Sequence, residues 1–172
     1  MKYLLTTIVV FCSPLIVFCQ DITGLWKGTI FNDSENKSYR YEVMITKNNN
    51  GKLSGYSHTW FLIDGKEYYG IKKINVRIAK DGKIVMQDAS LVENNYPVAP
   101  YKNIFQLNVL DITTVNDEAT LNGDFVTNRT KEYSQLTGRV NIKRVSTASQ
   151  SDLMQYLNKN NVDNTATAAV VK

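Results

Sequence analysis

The chain has 172 residues, a net charge of +4, two cysteines (Cys12 and Cys19) and one histidine, His58. So small a positive excess, spread along the chain, argues against a nucleic-acid binder, which needs a concentrated basic stripe. A lone imidazole and two cysteines near the amino end leave no set of nitrogen and sulfur ligands for a metal, and no cofactor is expected.

Residues 1–19 read as a secretory signal peptide. Lys2 gives the positive start, Leu4 to Phe18 an apolar stretch, and Val17 and Cys19 the cleavage positions. A lipoprotein anchor on Cys19 is disfavoured, because it calls for a small residue where Phe18 stands. A permanent span is disfavoured too, since the stretch is short of ~20 apolar residues and Pro14 interrupts it. Cleavage would remove both cysteines and one lysine, leaving a net charge of +3 and no disulfide. The expected product is exported, periplasmic or extracellular, and monomeric, with no integral membrane span. Its asparagine- and lysine-rich composition suits an AT-rich bacterial genome.

From residue 20 to 146 apolar and polar residues alternate at period two, the pattern of half-buried strands. Eight strands are expected, at 22–31, 39–47, 52–63, 67–80, 83–93, 103–113, 119–128 and 135–145. Asn50-Gly51, Asp64-Gly65 and Asp81-Gly82 fall between consecutive strands and supply the positive φ angles of tight hairpins. The fold class that follows is all-β, an eight-stranded antiparallel up-and-down barrel with no exposed edge. Turns after the second, fourth and sixth strands are short. Those after the first, fifth and seventh are longer, so a mouth is expected at that end. Beyond 146, in the segment 147–172, Ser151 should cap a short helix carrying Leu153, Met154, Tyr156 and Leu157, followed by a frayed tail from Asn158.

An aliphatic–small polar–glycine pattern recurs at Ile22-Thr23-Gly24, Leu53-Ser54-Gly55, Leu121-Asn122-Gly123 and Leu136-Thr137-Gly138. Glycine there allows the bends and close approaches of a coiled small barrel. The first copy runs on as Gly24-Leu25-Trp26, which resembles the Gly-x-Trp opening of the calycin superfamily of lipocalins, avidins and fatty-acid-binding proteins. Asn50 to Tyr56 is similar to the second hairpin of avidin-type barrels. The resemblance implies that Trp26 closes the barrel floor with a basic residue of the last strand, Arg144 or Lys143, lying over it. It does not extend to biotin binding, because Lys27-Gly28-Thr29-Ile30 follows Trp26 and Trp60 is the one other tryptophan.

Candidate ligand contacts are Tyr39, Tyr41, Tyr56, His58, Trp60, Tyr96 and Tyr101. Tyr39 and Tyr41 start the second strand near the mouth, while Tyr96 and Tyr101 flank Pro97 and Pro100 in its longest loop. If Tyr56 faces inward, period two turns His58 and Trp60 inward as well, although Leu53, Phe61 and Ile63 make the other face equally apolar. Asp88 and Asp111 share parity with apolar neighbours and would form a glycosidase-like acid/base pair if both pointed inward. Asp111 lies close to its strand's end, where solvent is the simpler expectation, and a non-enzyme is favoured. Lys72, Lys73, Arg77 and Lys80 read as a solvated outer face.

The expected function is a lipocalin-like carrier of a small amphipathic or hydrophobic ligand. The alternative is a cell-envelope module that binds a protein or glycan and has a filled barrel. The volume inside the barrel separates the two.

Overall fold

A computed structural model describes residues 21–146 and 151–162. The expected signal peptide, the Cys19 anchor and the tail beyond residue 162 lie outside the described residues.

Eight antiparallel strands pair in sequence order and close into a barrel. They are β1 (Gly24–Asn32), β2 (Lys37–Lys47), β3 (Leu53–Ile63), β4 (Lys66–Ile78), β5 (Ile84–Asn94), β6 (Gln106–Val115), β7 (Glu118–Thr127) and β8 (Thr137–Val145). The hairpins form where the turn dipeptides stand: Gly51, Gly65 and Gly82 all take positive φ. Asn116 and Asp117 do the same between β6 and β7 without a glycine, as short polar side chains allow. Closure comes from β8 returning to β1, with Arg144 opposite Trp26 and Val140 opposite Ile30.

The recurring glycines answer to two different demands. Gly24 opens β1 at φ 116°, where other residues are strained. A Cβ on Gly55, Gly123 or Gly138 would instead run into a carbonyl of the adjacent strand, at Met44, Val109 and Phe31. These strands approach too closely for a side chain, which gives a small barrel its tight coil.

Side chains fill one half of the interior. Trp26, Val43, Ile74, Met86, Leu110 and Ile142 pack there with almost no exposure. Trp26 donates from its ring nitrogen to the Ile22 carbonyl at 3.0 Å, and the Arg144 guanidinium carbon lies 4.9 Å from its ring centroid. Arg144 also donates to the carbonyl of Asp21. This end is closed.

After the barrel, α1 (Asp152–Lys159) docks on its outside. Ser151 caps it by accepting from the Met154 N–H at 3.1 Å. Leu153, Met154 and Leu157 are buried against Leu25, Met44, Tyr56 and Ile71. The helix continues past Asn158 to Lys159, and Val162 packs against the same cluster, so the expected frayed tail does not begin at Asn158. Beneath its first turn lies the buried carboxylate of Glu42, which takes the Ser151 hydroxyl at 2.7 Å, the Leu153 N–H at 3.0 Å and Lys27 at 3.0 Å. No helix among the described residues is long and apolar enough to cross a membrane.

Candidate functional site

The other half of the barrel is open. A cavity of about 800 Å³ reaches from above the packed core to the end bearing the 33–36, 95–105 and 128–136 connections. That volume lies inside the ~300–1,000 Å³ of small-molecule sites. Ile30, Phe61, Phe125 and Leu136 supply apolar wall, and Pro97, Val98 and Tyr101 of the long loop lie over it. Leu62, Ile63, Val98, Tyr101 and Phe105 leave an apolar rim exposed at the mouth. A smaller hollow of about 510 Å³ lies beside it, between Ala99–Asn103 and Thr130–Glu132.

A buried ion pair of the cavity and its polar neighbours lie on β4, β5 and β6. Register shifts in the β4–β5 ladder fall on either side of Lys72 and Lys73, the kind of irregularity that re-aims a side chain. Lys72 lines the cavity, and its ammonium meets Asp88 Oδ2 at 2.5 Å. The carboxylate is only 5% exposed. Pairing between β5 and β6 stops at Gln87 opposite Leu107, and just beyond it Asp88 Oδ2 accepts the Gln106 N–H at 2.9 Å. A side chain thus takes over where the ladder ends. Gln106 passes the chain on, its side-chain amide donating to Asn108 at 2.7 Å.

Of the tyrosines foreseen as contacts, Tyr39, Tyr96 and Tyr101 line the cavity. The Tyr39 hydroxyl donates to Glu35, and its pKa is pushed up to about 12 by burial and by that carboxylate. Tyr96 is also pushed up to about 12, by burial first and by Asp88 second. Its hydroxyl rests against Gly70, where a Cβ would collide with it. Tyr41 is sealed beneath the cavity, hydrogen-bonded to Ser57 and Asn108, and burial raises its pKa further still. Tyr133, which sequence reasoning did not single out, also lines the cavity, and its ring packs on Tyr101 at 5.7 Å.

Two expectations need correction. Tyr56, His58 and Trp60 do not point inward. They lie on the outer face of β3, where Tyr56 packs in the α1 cluster and the His58 and Trp60 rings stack at 3.6 Å. Trp60 backs the cavity wall, but its ring carries the Arg40 guanidinium at 4.2 Å. Arg40 in turn bridges to Glu67 and to Asp152 of α1. The cause is α1 itself: by covering this part of the sheet it makes the outer face apolar and buried, so alternation no longer distinguishes inside from outside. Second, Lys72 does not belong with the solvated lysines, for it shares parity with Ile74 and Val76 and faces the cavity. Asp88 and Asp111 do not converge, and Asp111 takes the solvent-facing place expected for it. Asp88 is inward, whereas Asp111 is exposed on the outer face and paired with Lys83 at 2.7 Å. The apolar neighbours Leu107 and Val109 that share its parity face outward too, and Asn108, Leu110 and Ile112 take the inside.

His58 is 5% exposed, and neither ring nitrogen has a hydrogen-bond partner among the described residues. Burial lowers its pKa to about 4, against the opposing pull of Glu42, Asp152 and Glu93 and with the help of Arg40. No group of three or more metal-ligating side chains occurs among the described residues.

Comparison with known proteins returns nothing: no family model, no curated protein and no solved structure matches the chain.

Proposed function

We propose that the barrel is a carrier: an exported, calycin-like container for one small amphipathic ligand. The observation that carries this is the division of the interior into a packed floor over Trp26 and an open cavity of about 800 Å³ above it. A barrel filled to both ends would have favoured the envelope interaction module instead. The apolar rim at the mouth supplies a landing surface for a molecule leaving water. Inside, apolar walls and one polar corner suit a ligand with a hydrocarbon body and a single polar end. Export rests on residues 1–19, whose sequence has the order of a signal peptide.

Titration with Nile red, an uncharged dye that brightens in apolar sites, tests the reading. Thr59 faces the cavity, and Thr59→Trp should obstruct part of it and weaken saturable binding. Thr29→Trp, on an exposed outer position, should leave binding unchanged. No saturable binding to the unmodified protein, or equal loss in both variants, would contradict a carrier.

A further inference from the structure

The polar corner narrows the class of ligand, on the assumption that the barrel is a carrier. Lys72 and Asp88 enter the same cavity as a compensated pair, 2.5 Å apart. Lys72 and the Gln106 N–H both donate to Asp88 Oδ2. A carboxylate has about four lone-pair sites over its two oxygens, and the ammonium has more protons than one carboxylate oxygen can take. The corner therefore offers one acceptor and further donors side by side, with no net charge.

Three neighbouring hydroxyls, those of Tyr41, Tyr96 and Tyr133, all have their ionisation disfavoured by Asp88 in addition to burial. They add polar surface around the pair and no cation to balance an incoming anion. A carboxylate head group would be drawn by Lys72 and repelled by Asp88, and an ammonium the reverse. Either ion would give up its hydration without gaining a net counter-charge, which is costly in a buried site. An uncharged head able both to donate and to accept meets both halves of the pair at once.

We propose that the ligand is an uncharged amphiphile with a hydroxyl or primary amide head seated on the Lys72–Asp88 pair, and that fatty acids and cationic amphiphiles are excluded. The selectivity lies in the pairing of two charges within one cavity. Removing either charge should then convert the site into one for the opposite ion.

Four probes with one chain length and different heads, decanol, decanamide, decanoate and decylamine, test this by isothermal titration calorimetry at neutral pH. Decanol and decanamide should bind the unmodified protein at least about tenfold tighter than the two ions. Asp88→Asn should raise decanoate affinity about tenfold relative to decanamide, and Lys72→Met should do the same for decylamine. Near-UV circular dichroism identifies a variant that fails to fold, in which case the unmodified protein and the other variant decide. Binding of all four probes with equal affinity, or a preference for either ion, overturns the head-group assignment and leaves the carrier standing. Absence of binding by every probe overturns both.

Discussion

Replacing Glu42 with alanine probes the joint between the helix and the barrel. Its buried carboxylate holds the Leu153 N–H at 3.0 Å and the Ser151 hydroxyl at 2.7 Å, both at the start of α1. The alanine variant leaves the Leu153 N–H buried without an acceptor, at a cost of ~1–3 kcal/mol. Ser151 keeps its own bond to Met154 but loses a charge-assisted partner, about 1 kcal/mol more. Lys27, 30% exposed, adds about 0–1 kcal/mol. Urea denaturation followed by tryptophan fluorescence should therefore show a loss of about 2–5 kcal/mol. Glu42→Gln keeps an acceptor for Leu153 and should lose about half as much. Hydrogen exchange should rise at 152–159 ahead of the barrel strands, because the joint holds the helix and not the sheet. In a double-mutant cycle Ser151→Ala should cost less once Glu42 is gone, leaving only the loss of its cap on the Met154 N–H, about 0.5–2 kcal/mol. A Glu42→Ala loss within about 0.5 kcal/mol, the range of ordinary surface substitutions, would refute the reasoning.

Acid should weaken the fold through His58. Its folded pKa of about 4 lies below the unfolded 6.5, so the unfolded chain binds the proton more readily. The stability due to neutral His58 is full above about pH 6.5 and is lost as pH falls toward 4, by about 3 kcal/mol in total. His58→Leu, which removes two unpartnered ring nitrogens, should flatten the pH–stability profile across that window. Arg144→Ala uncovers the Trp26 ring and should cost about 0.5–2 kcal/mol in urea denaturation. Gly70→Ala pushes on the Tyr96 hydroxyl and should cost about 1–3 kcal/mol. Adding Tyr96→Phe, which removes the struck oxygen, should return most of that loss in the same assay.

The barrel could be read from the sequence because its information is local. Asn50-Gly51, Asp64-Gly65 and Asp81-Gly82 fix hairpins within a few residues, and period two shows each strand as a strand. Which face of a strand points inward is a different question, answered only by what covers the other face. On β3 the outer cover includes a helix that begins at Asp152, far along the chain, packed on Tyr56, and Arg40 of β2 lying over Trp60. On β6 both faces carry aliphatic residues, so Asp111 and Leu107 could not be oriented from their neighbours.

The polar corner was only half legible. Asp88 stood out as a carboxylate in parity with Ile84 and Met86. Lys72 was hidden among Lys73, Arg77 and Lys80, although its parity with Ile74 and Val76 was the available signal. The register shifts around it and the early end of the β5–β6 ladder depend on pairing between strands, which the alternation within one strand does not record. Glu42 gave no signal either, since its partners Ser151 and Leu153 lie on a distant element.

Native mass spectrometry of the protein purified from its own host tests the carrier most directly. A discrete added mass is expected that is lost on denaturation and reduced in occupancy in the Thr59→Trp variant. A bare protein mass under gentle ionisation, or an added mass that Thr59→Trp leaves at full occupancy, would contradict the carrier.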